Sequence, residues 1–151
     1  MKLSACAWVS FLLAAGCHSP PLWHHSTSPV NIPFEYGTNA VLQFQASLKE
    51  AGGYDLYLIL EEKTLPRAED GRSPLRLDTN LRVLLWTDGQ TATARHLTSL
   101  PFIGSDKDHA AYYVSGLKLE VPSTVKCEFW DLSNGAVRAR GFLRLRHSVP
   151  K

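Results

Sequence analysis

Apolar and polar side chains alternate every second residue over most of the chain after residue 30. The clearest segments are 40–48, 54–62 and 124–130. An extended strand places successive side chains on opposite faces, so this period predicts strands with one buried face. A helical interpretation of 40–51 has some support from its Ala, Gln, Leu, Lys and Glu content, but the two-residue alternation favours a strand.

Turn and loop signals divide the chain at short intervals. Ala51-Gly52-Gly53 is a connection of hairpin size, and Asp88-Gly89 is a strong turn dipeptide after the strand-like residues 75–86. The proline-containing segments 63–74 and 98–109 are predicted to be loops. Seven or eight short strands without a convincing amphipathic helix predict an all-β fold. We expect an antiparallel β-sandwich, immunoglobulin-like or transthyretin-like, with a small barrel as the alternative.

The last two strands are predicted to form a hairpin around Ser133-Asn134-Gly135. A three-residue loop with Gly135 in the left-handed conformation pairs Glu128 with Arg140 and Trp130 with Arg138. It keeps the apolar and charged faces of both strands consistent, whereas a two-residue loop mixes them. The register places one set of residues on a single exposed face: Lys126, Trp130, Arg138, Arg140, Phe142, Arg144 and Arg146.

This arginine-rich aromatic face is the candidate partner-binding surface. Arginine and tryptophan are enriched at binding hot spots, and arginines suit an acidic protein, a phospholipid headgroup or an anionic glycan. The alternative is a solvated outer face, whose arginines keep the final strand soluble and protect its edge. Both interpretations are open on the sequence alone.

The N-terminus carries a different pattern. Lys2 precedes an apolar run of the length of a signal-peptide h-region, too short to span a bilayer as a permanent helix. The run ends in Ala14-Ala15-Gly16-Cys17, which resembles the lipobox of bacterial lipoproteins. The resemblance implies removal of residues 1–16 and a triacylated Cys17 that anchors the chain. Because His18 follows in place of aspartate, it also implies the periplasmic face of the outer membrane.

Residues 17–29 contain three prolines and four serines or threonines. This composition cannot bury a core and predicts a flexible tether. His18, His24 and His25 suit zinc or copper by type, but a flexible segment gives them no fixed geometry, so no metal site is predicted. The expected organisation is a signal peptide (1–16), a tether (17–29) and a single β-sandwich domain (30–151).

Charge and cysteine usage narrow the class of protein. The formal net charge is +2, and it falls to +1 without residues 1–16, whose only charged side chain is Lys2. This balance argues against nucleic-acid binding, which needs concentrated basic surface. Cys127 is the one remaining thiol once Cys17 carries lipid, so no intramolecular disulfide is predicted. The alternation in 124–130 places Cys127 on the apolar face, where we expect it to be buried.

Common catalytic motifs are absent from the sequence. It contains no G-x-S-x-G, H-E-x-x-H, P-loop or G-x-G-x-x-G pattern. Asp106, Asp108 and His109 could form an acid–base or metal cluster, but adjacent charges in a loop are more often solvated. We therefore expect neither catalysis nor a cofactor.

The segments IPFEYG, YDLYLIL and LRVLLW, the last followed by an Asp-Gly turn, resemble small β-rich lipoproteins of proteobacteria. Some lipoproteins of this kind neutralise interbacterial toxins in the periplasm, and others are accessory parts of secretion machines. The resemblance implies a non-catalytic protein-binding module of the toxin-neutralising kind. The alternative is an accessory component of an envelope or secretion complex.

Overall fold

The computed structural model describes residues 30–67, 70–71, 76–88, 93–133, 135 and 137–148. The predicted signal peptide, Cys17 and the predicted tether lie outside these residues. Within them, no helix is long and apolar enough to cross a membrane.

Eight strands and one short 3-10 turn, Glu62–Thr64, make up the regular structure of the described residues. The strands are β1 (Val30–Tyr36), β2 (Val41–Leu48), β3 (Gly52–Glu61), β4 (Arg76–Thr87), β5 (Thr93–Ser105), β6 (His109–Leu119), β7 (Ser123–Asp131) and β8 (Ala139–Ser148). All neighbours pair antiparallel in the order β1-β8-β3-β6-β5-β4-β7-β2. The prediction of an all-β fold with seven or eight antiparallel strands is confirmed.

Strand β5 is longer than the sequence pattern predicts. Residues 93–101 pair with β4, and residues 102–105 pair with β6. The predicted loop over 98–109 is therefore wrong from 98 to 105. Pro101 did not end the strand because it is the last residue of β5 that pairs with β4, opposite Arg76, and a proline is tolerated at the end of a ladder.

Two of the predicted hairpins are wrong, the one between β2 and β3 and the one between β7 and β8. β2 pairs with β7, and both edges of β3 are occupied by β6 and β8. β7 pairs with β2 and β4, whereas β8 pairs with β1 and β3. Strands that follow one another in sequence, β2 and β3 or β7 and β8, therefore lie in separate parts of the sheet. The hairpin predicted at Asp88-Gly89 is confirmed by the pairing of β4 with β5.

The inward faces of the strands share one hydrophobic core. The rings of Phe34 on β1 and Phe129 on β7 meet edge to face with centroids 5.0 Å apart, although these strands are not hydrogen-bonded neighbours. The least exposed core side chains include Leu56, Leu58, Leu60, Leu81, Val83, Leu100, Val125, Leu143 and Leu145.

Cys127 lies in this core with 1% of its surface exposed, as predicted. Burial, and secondarily the charge of Glu128, raises the pKa of its thiol far above the ordinary value. The thiol is therefore neutral at physiological pH, and it packs as a small apolar group rather than acting as a nucleophile.

Replacing Cys127 with serine is expected to lower the free energy of unfolding by about 1 kcal/mol, because a hydroxyl would be buried among apolar neighbours. Urea denaturation of both proteins in reducing buffer measures this difference. Rapid labelling of Cys127 in the native protein by a thiol reagent, located by peptide mapping, would contradict the burial.

The turn between β1 and β2 is fixed by a buried carboxylate. Asp131, at the end of β7, is 1% exposed. Its Oδ2 accepts hydrogen bonds from the backbone N–H of Gly37 at 2.6 Å and of Thr38 at 3.0 Å, and its Oδ1 accepts from the backbone N–H of Ser133 at 3.0 Å. The Ser133 hydroxyl also donates to Oδ1. One side chain therefore holds together the start of β2 and the exit of β7.

Candidate functional site

The residues that sequence analysis placed on one face lie on two separate strands. Lys126 and Trp130 are on β7, while Arg140, Phe142, Arg144 and Arg146 are on β8, and Arg138 is exposed just before β8. Because β7 and β8 have no common neighbour, the structure does not bring the two groups together. The predicted continuous arginine-rich aromatic face is wrong, since it depended on the β7–β8 hairpin.

Arg144 was predicted to be exposed, but it is buried. It lies between Asn31 of β1 and Tyr57 of β3, and only 5% of its surface is exposed. Its Nε–H donates to Asn31 Oδ1 at 3.0 Å. Burial, followed by the charge of Arg146, lowers the pKa of the guanidinium. Arg144 therefore supports the structure between three strands.

The polar groups around Arg144 largely bind one another. Asp55 Oδ2 accepts from the hydroxyl of Tyr57 at 3.1 Å and from that of Ser148 at 2.5 Å. Burial, then the charge of Asp55, raises the pKa of Tyr57 to about 12. Gly116 gives Tyr113 room, because a Cβ there would stand 2.8 Å from the Tyr113 hydroxyl oxygen. This outward side of β3 and β8 is a small packed layer, and much of its hydrogen-bonding capacity is used internally.

The outward side of β2, β7 and β4 has a different character. We call it the tryptophan face. Its side chains alternate with the buried residues of the same strands and therefore point away from the core. The cross-strand register arranges them in three rows, Val41-Trp130-Arg82, Gln43-Glu128-Leu84 and Gln45-Lys126-Trp86.

Large apolar side chains occupy the tryptophan face where a solvated sheet would carry polar ones. Val41 is 50% exposed, and Leu84, Trp86 and Trp130 are half-buried with no further layer of described residues over them. The Trp130 Nε1 atom is buried and has no hydrogen-bond partner among the described residues. An unsatisfied buried donor of this kind destabilises the free domain.

The charges of the tryptophan face are mainly positive. Arg82 and Lys126 are exposed, whereas Glu128 is half-buried and its Oε1 accepts from Gln43 Nε2 at 3.1 Å. His96, beside Arg82 on β5, has its Nε2 2.7 Å from Asn80 Oδ1. Glu128 lies in the middle of the three rows, and each basic residue lies beside a tryptophan, Arg82 beside Trp130 and Lys126 beside Trp86. The face thus offers apolar surface next to positive charge, which suits a partner with apolar and acidic groups.

The acidic segment considered as a catalytic or metal cluster is a turn between β5 and β6. Asp106 Oδ1 accepts from the backbone N–H of Asp108 at 2.8 Å and of His109 at 2.7 Å. Two surface depressions, of about 220 and 420 Å³, lie elsewhere and are not lined by these residues. No group of three or more metal-ligating side chains occurs in the described part of the chain. The local hydrogen bonds therefore give the Asp106 carboxylate a structural role.

Sequence reasoning identified Trp130 and Lys126 but missed Val41, Arg82, Leu84 and Trp86. In residues 81–86 the buried Leu81, Val83 and Leu85 alternate with three outward residues. This local pattern could have revealed those outward residues, which are Arg82, Leu84 and Trp86. Joining that set to Trp130 requires the pairing of β4 with β7, which no local signal specifies. Comparison with protein-family models, with curated proteins and with solved structures found no match for this chain.

Proposed function

We propose that this chain is a lipid-anchored lipoprotein of the periplasmic face of the outer membrane and that its β-domain binds a protein partner without catalysis. The toxin-neutralising kind of partner follows from the resemblance of the sequence to small β-rich lipoproteins. The observation that carries the binding function is the tryptophan face, with two tryptophans, Leu84 and Val41 on the outward side of a sheet.

The chemistry of the face specifies the kind of partner. Tryptophan and arginine are the residue types that contribute most to binding hot spots, and apolar area at the centre of a contact supplies its free energy. Arg82 and Lys126, beside Trp130 and Trp86 respectively, favour a partner whose carboxylates lie next to apolar side chains. We infer that the partner is a protein of this surface chemistry, such as a toxin domain.

We further propose that the strands form two packed layers, β1-β8-β3-β6 and β2-β7-β4-β5, in an immunoglobulin-like or transthyretin-like sandwich. The contact between Phe34 and Phe129, on strands that are not hydrogen-bonded neighbours, supports face-to-face packing. In such a sandwich the tryptophan face would be the outer surface of the second layer.

Replacing Trp86 or Trp130 with alanine is expected to accelerate dissociation of the partner more than about tenfold, because each removes an apolar anchor worth at least about 2 kcal/mol. The full chain in detergent captures partners from periplasmic extract and from the products of adjacent genes. Dissociation of the captured protein is then measured for each variant.

The matched control for this experiment is the double reversal Arg138→Glu and Arg140→Glu, on exposed residues away from the tryptophan face. It is expected to leave dissociation unchanged. Equal binding by the parent, both tryptophan variants and the double reversal would overturn the assignment of the face. If the captured protein belongs to a secretion machine, the partner is an envelope complex and not a toxin.

The anchor has its own test. The substitution Cys17→Ala in a Gram-negative host is expected to abolish incorporation of radiolabelled palmitate and to leave an unprocessed precursor, because the thiol that forms the thioether is lost. Precursor size is followed by immunoblotting beside the parent. Palmitate incorporated by the alanine variant would refute the lipobox interpretation.

A further inference from the structure

The two strands at the ends of the sheet differ in how their open edges are protected. Within the described residues, β1 pairs only with β8, and β2 pairs only with β7. β1 contains Pro33, which has no N–H to offer, and the charged Glu35. Both features discourage the addition of another strand to β1.

Strand β2 lacks all of these features. Its sequence, VLQFQASL, contains no charge and no proline, and its register with β7 runs without a bulge from Val41 to Leu48. Eight residues of regular, uncharged edge are a template for pairing with a further strand. Natural sheets normally avoid such an edge unless it is covered.

The backbone groups available on this edge follow from the pairing with β7. The N–H of Asp131 donates to the carbonyl oxygen of Ala40, so these two residues form a hydrogen-bonded pair. Such pairs alternate along an antiparallel ladder. The N–H and C=O groups of Val41, Gln43, Gln45 and Ser47 therefore point to the open side.

The inward side chains of β2 are incompletely covered. Leu42, Phe44 and Ala46 pack against the core, yet each is only half-buried, whereas the inward residues of the neighbouring β7 are fully buried. An additional strand beside β2 would cover the exposed parts of these three side chains, so the edge offers apolar burial as well as hydrogen bonds.

We propose that β2 pairs with β2 of a second copy of this chain, antiparallel, with the two-fold axis at Phe44. In this register Val41 lies opposite Ser47 of the second copy, and Gln43 lies opposite Gln45. Every outward-pointing backbone group between residues 41 and 47 then has a hydrogen-bond partner. The two Phe44 rings meet at a non-hydrogen-bonded pair, where side chains approach most closely.

The occupant is a second copy because β2 is complementary to itself. Reversing the strand about Phe44 places Leu42 opposite Ala46, so apolar residues meet apolar residues on the inner face, and glutamines meet glutamines on the outer face. No like charges oppose one another. The pairing would also place the tryptophan faces of the two copies on one continuous surface, and it does not depend on the proposed function.

Two double substitutions at exposed positions test the proposal and its register. In Gln43→Lys with Gln45→Lys, lysines oppose one another twice, and self-association is expected to weaken about tenfold. In Gln43→Lys with Gln45→Glu, each lysine opposes a glutamate, and association is expected to match the parent. Sedimentation equilibrium of the full chain in density-matched detergent, over a range of protein concentrations, measures these constants.

Thermal unfolding of each variant controls for loss of structure, which is not expected because both glutamines are exposed. The proposal is overturned if the parent is monomeric at every concentration or if the Lys/Lys and Lys/Glu variants weaken association equally.

Discussion

Replacing Gly141 with alanine is expected to lower the free energy of unfolding by about 3 kcal/mol or more. Gly141 is buried in β8, and a Cβ at this position would stand 1.8 Å from the carbonyl oxygen of Ile59 and 2.8 Å from the Cα of Leu60. These are backbone atoms of the neighbouring β3, so no side chain can turn aside to make room. β3 and β8 would have to separate, which is the costly kind of overpacking.

Gly104 provides the matched control, since it also lies within a strand but a Cβ there would meet nothing within 4 Å. Gly104→Ala is expected to leave stability unchanged or to raise it by less than about 1 kcal/mol, by restricting the unfolded chain. Chemical denaturation of both variants and the parent measures the contrast. Equal stability of the Gly141 and Gly104 variants would disprove the close approach of β8 to β3.

The second large effect is expected at Asp131. Asp131→Ala removes the acceptor for two backbone N–H groups of the β1–β2 turn, and the N–H of Gly37 would remain buried without a partner. Hydrogen bonds to a charged group contribute about 1.5–3 kcal/mol, and an unsatisfied buried donor carries a further penalty. We expect the free energy of unfolding to fall by about 3 kcal/mol in denaturant titrations.

Asp106→Ala is the control for Asp131, because Asp106 also accepts two backbone N–H groups but is only partly buried, with 14% of its side chain exposed. Its expected cost is about 1 kcal/mol, since solvent can replace the lost acceptor. If Asp106→Ala destabilised the protein as much as Asp131→Ala, burial of the carboxylate would not be the cause of the effect.

Local patterns in the sequence predicted most strands and one hairpin. The alternation of Leu56, Leu58 and Leu60 with more polar neighbours follows directly from the pleat of a strand with one face in the core. The turn-forming residues Asp88-Gly89 predicted the break between β4 and β5, and the two strands pair with each other. The same rules placed Cys127 in the core.

Pairing between distant strands could not be predicted in this way. β7 and β8 follow one another in sequence, yet their partners are chosen by how all eight apolar faces fill one core. The burial of Arg144 has the same origin, because it requires Asn31 from the other end of the chain. Most of the candidate site shares this limitation, since four of its six named residues were missed. Trp130 was predicted, but Trp86 joins it only through the β4–β7 ladder.

The position of β8 between β1 and β3 also fixes the order in which folding can be completed. β1 begins at Val30, and its only partner in the described sheet ends at Ser148. A chain that emerges from a narrow channel with its N-terminus first therefore carries an unpaired first strand until its eighth strand has left the channel. The largest loop closure comes last, so final assembly of the sheet is slow and follows complete emergence of the chain.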